Sequence, residues 1–249
     1  MKTTVVFLAI SILFLSGPAH ADLINGGFET GDFTGWTVLL PPAFPPADGY
    51  QRWLNQPEGQ ANVVSSQRVY DYNTFPTYFP VDGQYFAEIS SALYPALAGG
   101  PVITSLSQEI YLRKGDYLSG SAAFDNHNWY YGGDEAWVGI YEDGTEIATP
   151  WYAYSSSLSM GQGHLGYVSG YGNLPTAWNT ASPWVNWGWT APEDGVYTLE
   201  LAQQSVVPGG ADSFASTVLF DNISVPEPST VLLLGFGIIG VAGLRKKFR

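Results

Sequence analysis

The sequence has no cysteine among its 249 residues. The chain therefore cannot form a disulfide, build a thiolate metal site or use a cysteine nucleophile. If the protein works outside the cell, its stability has to come from a packed core or from a bound ion.

Positive charge is also scarce. Lys and Arg number 9 against 22 Asp and Glu, and five of the nine lie close to the chain ends. Residues 22–225 keep only Arg52, Arg68, Arg113 and Lys114 against 21 acidic residues, which gives a net charge of −17. Because nucleic-acid binding depends on neutralising phosphates with Lys and Arg, this composition argues against a nucleic-acid partner. The excess of carboxylates suits either solubility or the binding of divalent cations.

Long apolar runs are missing as well, and the two short ones are terminal. Val5–Leu15 follows a positive residue, Lys2, and is too short to span a membrane. Ala19-His20-Ala21 then fits the small-x-small pattern of a signal-peptide cleavage site. We therefore expect residues 1–21 to be a signal peptide and the exported chain to begin at Asp22.

The second apolar run, Val231–Leu244, has 14 residues without charge. As a helix it would be about 21 Å long, whereas the hydrocarbon core of a bilayer is about 30 Å thick. It is therefore a short transmembrane segment, which spans only if the bilayer thins around it. Since Lys and Arg favour the cytoplasmic side, the basic residues that follow place the body of the protein outside: Arg245, Lys246, Lys247 and Arg249.

Pro226, Glu227 and Pro228 stand directly before this apolar run. The order of Pro-Glu-Pro, a Gly-interrupted apolar run and a basic terminus over residues 226–249 resembles the PEP-CTERM sorting signal of Gram-negative bacteria. The resemblance implies recognition by an exosortase and a transient stay in the inner membrane. The protein would then be released or re-attached at the cell surface or in the extracellular matrix, where such proteins accompany exopolysaccharide. A simple membrane anchor is the alternative.

The residues between the two signals are typical of an all-β protein. Aromatic residues make up 15% of the chain, Gly contributes 29 residues and Pro 17, and no stretch has a convincing amphipathic helix pattern. "EAWVGIYEDGTEIAT" predicts a hairpin in which Ala136, Val138 and Ile140 alternate with Trp137, Gly139 and Tyr141, with a turn at Asp143-Gly144. The last predicted strand, "STVLFDNISV", has Leu219, Asp221, Ile223 and Val225 on one side. We expect Phe28, Phe33, Trp36, Trp187 and Trp189 to lie in the core.

The two ends of this region carry short motifs. Asn25, Gly26, Phe28, Glu29, Gly35 and Trp36 open it, and Asp221, Asn222, Ile223 and Val225 close it. With "APEDGVYTLEL" between them, this order resembles the galactose-binding-like jelly rolls, which include carbohydrate-binding modules. The resemblance implies a jelly-roll β-sandwich over 22–225. It also implies a structural calcium that bridges the first and last strands through Glu29 and Asp221. The alternative is that both carboxylates are merely solvated.

Other candidate sites are weaker. "DNHNWYYGGDE" crowds the oxygens of Asp125, Asn126, Asn128, Asp134 and Glu135 into one loop, but it lacks EF-hand spacing and is better explained as a polar loop. "YSSSLSMGQGHLGY" contains Ser and His without the context of a nucleophile elbow. A glycosidase needs two carboxyl groups about 5–9.5 Å apart, and sequence spacing identifies no such pair. We expect no catalytic activity, and a secreted glycan hydrolase or lyase remains as an alternative.

Aromatic residues in loop-like stretches offer a binding surface instead. Sugar rings present C–H faces that lie on aromatic rings, while their hydroxyls bond to nearby polar groups. We predict that residues 151–183 form a loop-dominated insertion and that the rings facing a ligand are Trp129, Tyr130, Tyr131, Trp151, Tyr152, Tyr154, Tyr171 and Trp178. Core packing is the alternative for each ring. The predicted function is non-catalytic association with exopolysaccharide, and the alternative is a structural or adhesive matrix protein without a specific glycan site.

Overall fold

The computed structural model describes residues 23–41, 59–68, 77–90, 102–125, 133–157, 163–170, 172–173, 181–205 and 216–226. These residues form 14 β-strands: β1 (Thr37–Leu39), β2 (Gln60–Val64), β3 (Gln67–Arg68), β4 (Thr77–Tyr78), β5 (Phe86–Ser90), β6 (Val102–Leu112), β7 (Tyr117–Asp125), β8 (Glu135–Glu142), β9 (Thr145–Ser157), β10 (Gly163–Val168), β11 (Gly172–Asn173), β12 (Val185–Thr190), β13 (Gly195–Ser205) and β14 (Thr217–Ser224). Within this part of the chain no helix is long and apolar enough to cross a membrane.

The strands form two antiparallel sheets and a small ribbon. A seven-stranded sheet has the order β1-β6-β13-β8-β9-β10-β11, and a five-stranded sheet has the order β12-β7-β14-β5-β2. The chain crosses between the sheets at every step from β5 to β8 and from β11 to β14, as in a jelly roll. The all-β jelly-roll sandwich predicted from the sequence is confirmed.

One apolar core fills the space between the two sheets. It takes Leu106, Val138 and Leu201 from the seven-stranded sheet, and Phe124 and Phe220 from the five-stranded sheet. These residues alternate along their strands with outward-facing ones, as burial of one face requires. The hairpin prediction is confirmed in detail, because Ala136, Val138 and Ile140 are all fully buried.

The aromatic residues assigned to the core lie there. Phe28 is fully buried and stacks on Trp36, with ring centroids 5.5 Å apart, while Phe33 packs against Phe28 edge-on. Trp187 is buried and Trp189 is partly buried against Tyr197.

The face predicted for the last strand is only partly correct. Leu219 packs outside the five-stranded sheet, whereas Ile223 and Val225 pack against the main core. The pairing register of β14 with β7 shifts between Asp221 and Ser224, and Asn222 has a φ of 52°. A bulge of this kind switches the side of the sheet on which the following residues lie.

A second apolar cluster covers the outer face of the five-stranded sheet. Tyr78 of β4 and Trp184 lie over Phe86, Ala123 and Leu219. The Tyr78 hydroxyl donates to the carbonyl of Ser182, and the Trp184 Nε1 donates to the carbonyl of Phe79 at 3.1 Å. These contacts cover the part of this outer face around Phe86, Ala123 and Leu219, whereas Tyr117 of β7 remains exposed on it.

Candidate functional site

Five aromatic side chains share the outer face of the seven-stranded sheet, and we call them the aromatic platform: Trp137 and Tyr141 of β8, Tyr152 and Tyr154 of β9, and Tyr167 of β10. All five are half-buried. Their position follows from strand alternation, because each is adjacent along its strand to at least one residue of the core.

The strand registers bring the platform together. Trp137 pairs with Tyr152 across β8 and β9, and Tyr154 pairs with Tyr167 across β9 and β10. The rings of Tyr152 and Tyr154 are 6.0 Å apart, and those of Tyr154 and Tyr167 are 6.2 Å apart with an interplanar angle of 23°. Since neighbouring strands lie about 4.8 Å apart, the platform together with β13 extends about 14 Å across the sheet.

Glu200 of β13 forms the polar edge of the platform. Its Oε2 accepts a hydrogen bond from the Tyr141 hydroxyl at 2.9 Å and one from the Trp137 Nε1 at 3.2 Å. Burial is the largest cause that raises the pKa of Tyr141 above its usual range, and the neighbouring Glu200 carboxylate raises it further. The Tyr141 hydroxyl therefore stays protonated at physiological pH, and together with the Trp137 Nε1 it holds Glu200 in one position.

Further carboxylates surround the rings. Burial raises the pKa of Tyr152 to about 12, and the adjacent Glu135 contributes to that shift. Glu146 lies on the other side of Tyr141, whose hydroxyl is 3.4 Å from the Glu146 Oε2. The face combines flat apolar rings with hydrogen-bond acceptors, which is the composition that recognises sugar rings and their hydroxyls.

A groove continues this face toward the edge of the sheet. Its volume is about 650 Å³, and it is lined by Ile24, Gly35, Thr37, Ser107, Gln108, Glu109 and Thr198. Thr198 pairs with Tyr141 across β13 and β8, so the groove borders the platform. Together the groove and the platform cross the sheet from β1 to β10.

The structure overturns one of the predicted ligand-facing residues. Trp151 is 0% exposed and packs edge-on against Phe220, with ring centroids 6.0 Å apart. The stretch from 151 was predicted to be loop, but Trp151 to Ser157 continue β9, and Gly163–Val168 form β10. Because Trp151 alternates with Tyr152 along the strand, it points inward and belongs to the core.

The other predicted ligand-facing residues divide into two groups. Tyr152 and Tyr154 lie on the platform, where their rings are half-buried. Trp129, Tyr130, Tyr131, Tyr171 and Trp178 lie outside the described residues, as do Glu227, Pro228 and the basic terminus.

Sequence reasoning missed Trp137, Tyr141 and Glu200 as site residues. The signal was present in the hairpin prediction, because Trp137 and Tyr141 alternate with three inward-pointing apolar residues. Two aromatic residues on the solvent side of one strand contribute to an apolar surface patch, and such patches mark binding sites.

Glu29 and Asp221 approach a single loop from the two ends of the domain. Both Glu29 carboxylate oxygens accept from the amide of Gln84 at 2.9 Å. Asp221 accepts from the amides of Val81 at 2.5 Å and Asn222 at 2.6 Å. Burial raises the pKa of Asp221 to about 6. The backbone amides that donate to Asp221 lower its pKa, and the charge of Glu29 raises it further.

The backbone around this pair is strained. Asn25, Phe28 and Asn222 have φ values of 53°, 58° and 52°, a region that costs energy for residues other than glycine. The described residues contain no group of three or more His, Cys, Asp or Glu suited to a metal. Calcium takes oxygen ligands, which the two carboxylates would supply, and each carboxylate also accepts from backbone amides. A cation would also relieve the repulsion between the two carboxylates.

The C-terminal resemblance is confirmed by comparison with known families. The PEP-CTERM protein-sorting motif matches residues 224–247. No curated protein sequence matches the chain.

Several solved structures are similar to this chain, at low identity. One is the carbohydrate-binding module TmCBM61 in complex with β-1,4-galactotriose, at 14% identity and a TM-score of 0.40, covering 83% of this chain and 97% of that one. A structure of carbohydrate-binding modules from the β-sandwich superfamily has 12% identity and a TM-score of 0.40, covering 86% and 64%. The K1 cleaved adhesin domain of Lys-gingipain from Porphyromonas gingivalis has 10% identity and a TM-score of 0.40, covering 81% and 96%.

Proposed function

We propose that this protein is a non-catalytic glycan-binding protein of the cell surface or extracellular matrix, and that it holds exopolysaccharide on the aromatic platform. The observation that carries the proposal is the set of five half-buried rings on the open face of the seven-stranded sheet, bordered by fixed carboxylates. The rings supply stacking surfaces, and the carboxylates accept hydrogen bonds from sugar hydroxyls.

The place of action follows from the sorting motif. The PEP-CTERM motif supports processing by an exosortase. We propose that this processing takes place in the inner membrane of a Gram-negative bacterium, after export by the predicted signal peptide. The protein would then act where exopolysaccharide is deposited. Positive charge is concentrated in the tail, so the processed protein would keep its acidic surface.

The geometry of the carboxylates favours binding over hydrolysis. A glycosidase needs a space between its two carboxyl groups for the glycosidic oxygen or for water. Between Glu146 and Glu200 the Tyr141 hydroxyl takes that space, since it lies 3.4 Å from the Oε2 of Glu146 and 2.9 Å from the Oε2 of Glu200. The pair is therefore engaged in holding the platform.

Calcium forms part of the proposal as a stabilising ion. Glu29 and Asp221 would supply its carboxylate oxygens, and the ion would join the first turn of the domain to its last strand. Because it would bind only the folded protein, its contribution to stability would be about 2.7 kcal/mol at a hundredfold excess over Kd.

The glycan-binding proposal is tested by affinity electrophoresis of the full chain in mild detergent, through gels containing galactan, mixed-linkage glucan, mannan or the exopolysaccharide of the producing cells. We expect retardation by at least one polysaccharide, and loss of that retardation in Tyr154→Ala. Migration unaffected by all four would contradict glycan binding and favour a purely structural or adhesive matrix role. Shortened polysaccharide chains after incubation would contradict the non-catalytic part.

A further inference from the structure

We infer that Glu200 determines which glycans the platform accepts, and that it selects neutral polysaccharides over those carrying carboxylates. This inference rests on the proposed function and adds the chemical class of the ligand.

Glu200 is held so that one oxygen remains available. Trp137 and Tyr141 both donate to Oε2, and within the described part of the chain Oε1 has no hydrogen-bond partner. Its partner across β8 is Gly139, over which the Tyr141 ring lies, so β8 contacts the carboxylate through Trp137 and Tyr141 at Oε2. An ionised, positioned acceptor of this kind forms charge-assisted hydrogen bonds with hydroxyl groups, which are stronger than those between neutral groups.

The same face carries only negative charge among its described residues. Glu109 of β6 and Glu135 of β8 lie on the two strands that flank β13, and Glu146 lies one strand further away, on β9 beside Tyr141. The described cations lie elsewhere, since Arg113 and Lys114 are in the turn after β6 and Arg68 is in β3 of the small ribbon. A uronate placed here would face several carboxylates without a compensating cation, and juxtaposed like charges weaken binding strongly.

The consequence is a selection by charge that hydrophobic stacking alone would not give. Aromatic rings stack on the C–H faces of neutral and acidic sugars alike. Glu200, fixed at the edge of the rings, favours a sugar that donates a hydroxyl and disfavours one that presents a carboxylate at the same position.

The test uses matched pairs of polymers. Galactan, glucan and mannan are each compared with the same polymer oxidised at C6 from the primary alcohol to the carboxylate. For every neutral polymer that retards the full chain, we expect the oxidised form to bind at least tenfold more weakly. In Glu200→Gln, affinity for the neutral polymer should fall roughly fivefold, which is the difference between a charged and a neutral acceptor, and the tenfold discrimination should shrink.

Glu193→Gln is the control, because it removes one exposed carboxylate in the turn before β13 and should change neither value. A melting curve for each variant separates lost binding from lost folding. Equal binding of neutral and oxidised polymers, or unchanged discrimination in a folded Glu200→Gln, would overturn the inference and leave glycan binding intact. If no neutral polymer retards the wild-type chain, the proposed function and this inference both fail.

Discussion

Trp151 and Tyr154 are three residues apart on β9, but their side chains have different surroundings. Trp151 lies between the sheets against Phe220, whereas Tyr154 lies on the outer face between Tyr152 and Tyr167. The same residue class therefore contributes to stability at one position and to the proposed binding surface at the other.

Replacing these two residues separates the two roles. Trp151→Ala should lower the free energy of unfolding by about 3–5 kcal/mol, since it opens a large cavity in the core. Tyr154→Ala removes a half-buried ring and should cost about 1 kcal/mol while abolishing retention by polysaccharide. Denaturant unfolding of both variants measures the difference. Wild-type stability in Trp151→Ala would contradict its assignment to the core.

The carboxyl group of Asp221 should make the free energy of unfolding of the metal-free protein depend on pH. Its pKa is about 6 in the folded state, above the ordinary value of 3.8, so the folded protein binds a proton more tightly than the unfolded chain. This contribution to stability is therefore complete below about pH 4 and is lost as the pH rises through about 6.

Unfolding of the chelator-treated protein at pH 5 and pH 7 tests that sign against Asp221→Asn, which keeps an acceptor for the amides but does not titrate. On moving from pH 5 to pH 7, the wild type should lose more stability than the variant. Parallel pH profiles for the two proteins would show that Asp221 has an ordinary pKa.

At the scale of the element, β8 illustrates what the sequence could predict. Its strict alternation of apolar residues with Trp137, Gly139 and Tyr141, followed by Asp143-Gly144, specifies a hairpin from local information. Asp143 and Gly144 have φ values of 49° and 76°, as the turn requires. The core residues Phe28, Trp36 and Trp187 could be predicted for a related reason, because large rings in periodic or turn-bounded positions need burial.

The second half of β9 was not recognised as strand, for an identifiable reason. Trp151, Ala153 and Ser155 point inward and Tyr152 and Tyr154 outward, but the inward set mixes one large residue with two small ones. The register of this half with β10 also shifts, between Leu165 and Tyr167. Such shifts depend on pairing between strands, which local composition does not specify. The platform could not be assembled for that reason, since it depends on pairs such as Trp137 with Tyr152.

The aromatic cover over the five-stranded sheet should contribute to the stability of the protein and not to glycan binding. Trp184 meets Tyr78 and Phe86 edge-on, at centroid distances of 5.8 and 5.6 Å. Each aromatic pair contributes about 0.5–1.5 kcal/mol, so Trp184→Ala should lower stability by about 1–3 kcal/mol. Retention by polysaccharide should be unchanged, because this cover lies on the opposite side of the sandwich. If a folded Trp184→Ala variant lost retention, the binding surface would lie on the five-stranded sheet, which would contradict the proposed platform.

For the molecule as a whole, the sorting motif and the calcium proposal lead to measurements on the exported protein. When the exosortase of the producing cell is active, mass spectrometry of the surface or released form should show a chain without Val231–Arg249. An intact basic terminus on that form would instead indicate a simple anchor.

Calcium should stabilise the exported protein by joining Glu29, near the start of the domain, to Asp221 of its last strand. Chelator should lower the melting temperature of the wild type, and Asp221→Ala should remove the difference between the chelated and calcium-loaded states. Identical melting curves for metal-free wild type with and without added calcium would rule out the ion.

Hydroxyl-radical footprinting tests the position of the glycan site most directly, because it needs no substitution. The full chain is oxidised with and without the polysaccharide that retards it most, and modified residues are identified by mass spectrometry. Trp137, Tyr152, Tyr154 and Tyr167 should become protected by the polysaccharide, whereas Tyr117, exposed on β7 of the other sheet, and Trp184 should be oxidised equally in both states. Protection of Tyr117 or Trp184 with unchanged oxidation of the platform would contradict glycan binding on the seven-stranded sheet.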